Sequence, residues 1–151
     1  MTAAEQGGPK LTMRQVEESI LSDLELLGDG LNRMEYILGC ARTAPGIPAG
    51  ERTDGALVAD CQVNTWLMAG WENDVLWLRT DSESHLVKGV LSLIEELYNG
   101  RSRAEVDGFT CTLLSCANLT GLLNGPQKKG LEHVLNTLHG EAKGADVHGN
   151  P

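Results

Sequence analysis

Aromatic residues are scarce in this chain. One Phe, two Tyr and three Trp make up 4% of its 151 residues, so a core has to be packed mainly with Leu, Ile and Val. Long apolar runs are missing too: none approaches the roughly 20 residues that span a bilayer. Positive charge is in deficit, with 12 Lys and Arg against 21 Asp and Glu and a formal net charge of −9. An acidic surface repels phosphate backbones and anionic lipid headgroups, which argues against nucleic acid and membranes as partners. A basic patch on another protein is compatible with it. The N-terminus, Met1-Thr2-Ala3-Ala4-Glu5-Gln6, has neither a basic start nor an apolar stretch, so no signal peptide is expected and the expected location is the cytoplasm. None of the four cysteines, Cys40, Cys61, Cys111 and Cys116, belongs to a Cys-x-x-Cys pair. In a reducing compartment they are expected as free thiols.

What is present suits one domain, expected over residues 11–140, between a polar tail at 1–10 and another at 141–151. Thr12-Met13-Arg14-Gln15 reads as a capping box, followed by Val16, Ile20, Leu24 and Leu27 at helical spacing. Gly28-Asp29-Gly30 ends that helix. A second helix should bury Leu31, Met34, Ile37, Leu38 and Ala41. Pro45, Gly46, Pro48 and Gly50 then open a long connection, expected to be exposed as a docking surface. The period becomes two from Ala56, with a short strand near Leu57, a strand from Cys61 to Ala69, a turn over Gly70–Asp74 and a return strand Val75–Arg79. Asp81 or Ser82 is placed to cap a third helix carrying Leu86, Val90, Leu93, Ile94 and Leu97. Gly89 inside it implies a close backbone approach, expected to be to the sheet. A short helical turn at Ala104–Val106 and a helix over Thr112–Leu123 follow. A last helix, starting near Pro126, should bury Leu131, Val134, Leu135 and Leu138. Glu17-Glu18 and Glu95-Glu96 read as solvated helix faces, and His85 as a solvated residue in the first turn of the third helix.

One thiol has a context the others lack. Cys61 stands in Ala59-Asp60-Cys61-Gln62-Val63-Asn64-Thr65-Trp66, ahead of a hairpin, with Asp81-Ser82-Glu83 and Val87-Lys88-Gly89 after it. Asp60 beside the thiol favours its neutral form, and no Lys, Arg or His lies within five residues to lower its pKa. Cys61 is therefore expected to react slowly at rest and to be activated by docking.

The order and spacing of these pieces resemble the SufE family, sulfur-accepting partners of cysteine desulfurases in iron–sulfur cluster assembly. Leu97-Tyr98 and Gly130-Leu131-Glu132 extend the likeness, which runs from about Arg14 to about Leu138. The resemblance implies an α+β fold, a small antiparallel sheet packed against helices and shared with IscU-like scaffolds. It implies that Cys61 carries the persulfide, that a cysteine desulfurase is the partner and that an iron–sulfur scaffold is the downstream acceptor. Pyridoxal phosphate would belong to the desulfurase, with no cofactor or metal on this chain. Asp60, Gln62, Asp81, Glu83, Gln127 and Lys128 become candidate docking residues.

The chain departs from the family pattern in places. Asp60 replaces the usual Gly before the cysteine, and Val63 stands where Ser is common. Gly125-Pro126-Gln127-Lys128-Lys129-Gly130-Leu131 carries Gln127 where the family places Arg, with Lys128 beside it. The alternative function is an IscU-like metal or cluster scaffold using Cys40, Cys61 and either Cys111 or Cys116.

Overall fold

Local capping rules set most of the helix boundaries. The computed structural model describes residues 10–58 and 63–140. Helix α1 spans Met13–Leu27, with the Thr12/Gln15 capping box formed on both sides and Gly28 as its C-cap at φ +84°. The Asp29 carboxylate caps α2, Gly30–Thr43, by accepting the Asn32 N–H. Arg33 Nε donates to the Leu24 carbonyl at 2.7 Å and fixes the corner between the two helices.

The sheet is a single antiparallel hairpin, β1 Thr65–Glu72 and β2 Val75–Ser82, with Thr65 opposite Ser82 and Glu72 opposite Val75. Asn73 and Asp74 both have positive φ, 53° and 66°, which is the backbone of a two-residue hairpin turn matched to strand twist. The turn is two residues long, inside the expected 70–74 span. A lone two-stranded ribbon is marginal in water, and here the surroundings hold it. Along the outer edge of β2 the N–H groups of Leu76, Leu78 and Thr80 donate to Arg101 O, Asn99 Oδ1 and Glu95 Oε2, so this edge is closed to further strands. The short strand expected before Cys61 is a bridge between Leu57 and Trp66.

Helix α3, His85–Tyr98, is the centre of the fold. Its Val87, Val90, Leu91, Leu93, Ile94 and Leu97 are buried against β1 and β2 residues Leu67, Ala69, Leu76 and Leu78 on one side and Ile20, Leu24 and Ile37 on the other. Each such side chain contributes roughly 2 kcal/mol of apolar burial. Gly89 meets the Ile37 carbonyl of α2, not the sheet: an added Cβ would overlap that oxygen. The remaining helices are α4 Arg103–Asp107, α5 Ala117–Thr120 and α6 Gly125–Leu138. The layout is α+β, as expected.

Several details differ from expectation. Ser84 is the N-cap of α3, because β2 continues through Ser82 and the Asp81 carboxylate is used elsewhere. Residues 112–123 are not one helix but a 3-10 turn at Leu113–Ser115 and the four-residue α5, interrupted at Cys116 in extended conformation. Leu31 is 75% exposed, since Ile37 and Ala41 form the buried side of α2. Glu17 is 5% exposed: it accepts the Thr112 N–H at 2.6 Å and pins that segment onto α1. Glu95 is likewise half-buried, on Thr80. The expected tails fall outside the described residues, apart from Lys10. Among the described residues no helix is long and apolar enough to cross a membrane.

Candidate functional site

The hairpin has two faces. Thr65, Leu67, Ala69, Leu76, Leu78 and Thr80 point into the α3 core, so Trp66, Met68, Trp77, Arg79 and Asp81 lie on the other face. At its Trp66–Asp81 end this second face is covered by the segment between α2 and β1. The sequence suggests an exposed loop there. Instead Gly46 and Ile47 are buried, and Ile47, Ala56 and Trp66 form a small apolar cluster of their own.

Asp81 holds this cover in place. Its side chain is only 4% exposed. Oδ2 accepts the Ile47 N–H at 2.8 Å and Arg52 Nη2 at 2.9 Å; Oδ1 accepts the Ser82 N–H at 2.8 Å and lies 3.4 Å from Lys88 Nζ. Burial alone would raise the carboxyl's pKa, but the Ile47 and Ser82 N–H groups, Arg52 and Lys88 outweigh it and hold it below the usual range. The Arg52 guanidinium also lies over the Trp66 ring, 4.4 Å from its centroid, and its Nε donates to the Ile47 carbonyl. Gly46 has φ +64°, and a Cβ there would come within 2.7 Å of Asp81 Oδ2. Only glycine fits this position without moving the carboxylate.

Next to this hub are the two anchors of the stretch that contains the candidate thiol. On one side the Val58 N–H donates to the Thr65 carbonyl at 2.8 Å. On the other, Thr65 Oγ1 and Ser82 Oγ are 2.9 Å apart, and the Glu83 N–H donates to the Asn64 carbonyl. Asp60, Cys61 and Gln62 themselves lie outside the described residues. The nearest described residues on either side are Val58, half-buried, and Val63, 38% exposed.

The other candidates separate. Asp81 is buried and engaged within the chain, so it positions the cover and is not an exposed contact. Glu83 is exposed at this same end, with Asn64 Nδ2 3.5 Å from its Oε2. Gln127 closes the capping box of α6: its Oε1 accepts the Asn124 N–H and its own N–H donates to Asn124 Oδ1. Lys128 lines a different cavity, with Phe109, Cys111 and His139. Sequence reasoning missed Ile47, Arg52 and the part Lys88 plays at Asp81. The available signal was a lone Arg in a Pro- and Gly-rich segment, too weak to assign a partner.

The remaining cysteines sit in separate places. Cys40 lines a groove with Tyr36, Ser92 and Glu96, and burial followed by Glu96 raises its pKa. Cys111 lies beside Glu17 and Tyr98, and burial, with Glu17 adding to it, pushes its pKa up to about 11. Among the described residues no three His, Cys, Asp or Glu side chains are grouped to hold a metal ion. Trp71 is half-buried near the end of β1, packed against the core beneath the Arg103 guanidinium.

Comparison with known proteins agrees with this layout. An uncharacterized SufE-like protein of Rhizobium etli is 25% identical over 143 residues, covering 90% of this chain and 95% of that protein. One from Rhizobium meliloti is 21% identical over 132 residues, covering 84% and 94%. A chloroplastic quinolinate synthase of Nicotiana tabacum is 26% identical over 139 residues, which cover 90% of this chain but 19% of that protein. In fold, the solution structure of a hypothetical protein from Thermus thermophilus superposes with a TM-score of 0.65 at 22% identity, covering 82% of this chain and 90% of that one. Residues 18–142 match the SufE domain, described as associated with Fe-S metabolism. With the match spanning most of the chain, including the hairpin and Asp81, this chain belongs to the SufE family and to iron–sulfur metabolism.

Proposed function

We propose that this chain is a sulfur acceptor, with Cys61 taking sulfur from a cysteine desulfurase and passing it on to an iron–sulfur scaffold. In the transfer, the Cys61 thiolate attacks the outer sulfur of a persulfide on the desulfurase. A new S–S bond forms on Cys61 as the old one breaks. The electron pair of the broken bond leaves with the desulfurase thiolate, and the proton given up by Cys61 goes to solvent or to that thiolate. No external oxidant or reductant is needed, because sulfur moves at constant overall oxidation state. Clearing the desulfurase's cysteine frees it for another turnover, so the acceptor also stimulates its donor. Pyridoxal phosphate resides on the desulfurase in this scheme.

The main support is that Cys61 lies within the matched family domain, between anchors fixed by Val58–Thr65 and Thr65–Ser82. The Asp81 hub gives those anchors a firm base: it ties residues 46–52 to the hairpin end from which the Cys61 stretch departs. Glu83 at the same end supplies exposed negative charge for a basic partner surface. Asp60 and Gln62 flank the thiol in sequence and are partner contacts in this scheme. Gln127 and Lys128, on the first turn of α6, are secondary contacts in this scheme.

Desulfurase turnover tests the proposal. With cysteine as substrate, the wild-type chain should raise the rate of alanine formation and Cys61→Ser should not. An equal rise with both would contradict an acceptor role for Cys61.

A further inference from the structure

Between the end of α2 and the start of α3 lies a cavity of about 360 Å³ lined by Leu38, Ala41, Arg42, His85 and Lys88. It is unusual for this molecule. Acidic residues outnumber basic ones by 21 to 12, yet this cavity is lined by two cations and a histidine with no carboxylate among them. Among the described residues Arg42 and His85 have no ion-pair or side-chain hydrogen-bond partner, and Lys88 has Asp81, whose oxygens are shared with Arg52 and two backbone N–H groups. The first turn of α3 carries no acidic side chain to offset the positive end of its helix dipole. An anion entering this cavity would be attracted by the positive groups that line it.

We propose that this cavity binds a carboxylate carried on a short aliphatic stem. The Arg42 fork and the Lys88 ammonium would receive the carboxylate oxygens, with a His85 ring N–H as a further donor. Leu38 and Ala41 supply an apolar wall for the methylenes. The volume lies at the small end of ligand sites and has room for a small dicarboxylate or a single glutamate side chain. The two sources share one chemistry, and the proposal does not depend on Cys61.

A titration of the isotope-labelled full chain, followed by amide resonances at constant ionic strength, tests it. Glutarate and a capped Gly-Glu-Gly tripeptide are the probes, with chloride and inorganic phosphate as controls. Saturable shifts at Arg42, His85 and Lys88 are expected with at least one of the two carboxylates. The tighter of them identifies the source as free ligand or protein side chain. Arg42→Gln, at an exposed position, should weaken that binding at least tenfold while leaving the rest of the spectrum in place. Unsaturable shifts, equal shifts with chloride, saturation by phosphate alone, or unchanged affinity in Arg42→Gln would overturn the proposal.

Discussion

The Ile47 N–H donates to Asp81 Oδ2 at 2.8 Å, joining positions 34 residues apart in the chain and fixing the segment between α2 and β1 on the hairpin. Asp81→Asn removes the charge that Arg52 and Lys88 share and leaves their guanidinium and ammonium groups beside a neutral amide. A loss of about 2 kcal/mol is expected, read from urea denaturation midpoints at neutral pH. The carboxyl's pKa is lower folded than unfolded, so its contribution is complete above about pH 4 and is lost as the pH falls through the lower folded value. The gap between wild type and variant should therefore narrow in acid. A gap that widened in acid would contradict this assignment.

Arg52 connects the same carboxylate to Trp66. Arg52→Ala should cost about 1 kcal/mol, combining a partly exposed ion pair with the cation–π contact. Its more specific signature is optical: Trp66 fluorescence should shift to the red as the ring gains water. Among the described residues Arg52 makes its cation–π contact with Trp66 and not with Trp71 or Trp77, so Trp66→Phe in the same background should remove the shift.

Gly89→Ala tests the seam between α2 and α3. The new methyl would overlap the Ile37 carbonyl oxygen, and both helices would have to part. A loss of about 2–3 kcal/mol is expected. Gly55→Ala, where an added Cβ meets nothing, should change stability little and serves as the control.

These positions also show how far the sequence alone reaches. Thr12 with Gln15, Gly28, the existence of the hairpin and the stripe on α3 are local signals, governed by residues near one another in the chain, and they are found. The hairpin's bounds differ, with β1 starting at Thr65 and running to Glu72 where strand Cys61–Ala69 and a turn from Gly70 were expected. Ile47 and Arg52 depend on a partner more than 25 residues away, and no local pattern signals that. Glu17 reads as solvated because a carboxylate on a helix usually is; the Thr112 N–H that it accepts becomes visible only in three dimensions. The start of α3 differs from expectation for a related reason. Asp81 and Ser84 are both competent caps, and only the folded loop shows that Asp81 is already engaged by Ile47 and Arg52.

Thiol reactivity provides a further check. Cys111, with its pKa pushed up to about 11, should be thiolate in about one molecule in ten thousand at pH 7. Its alkylation should be slow near neutrality and rise about tenfold per pH unit through pH 9, with Cys40 also slower than a free thiol. Rapid labelling of Cys111 at pH 7 in the folded protein would contradict its placement beside Glu17 and Tyr98.

The acceptor role itself comes down to the intact mass of the chain after incubation with a cysteine desulfurase and cysteine, without reductant. The wild-type protein should gain the mass of one sulfur atom, lost again on reduction, and Cys61→Ser should gain nothing. A wild-type chain that stays unchanged while the desulfurase turns over, or a Cys61→Ser chain that still gains the sulfur, would contradict it.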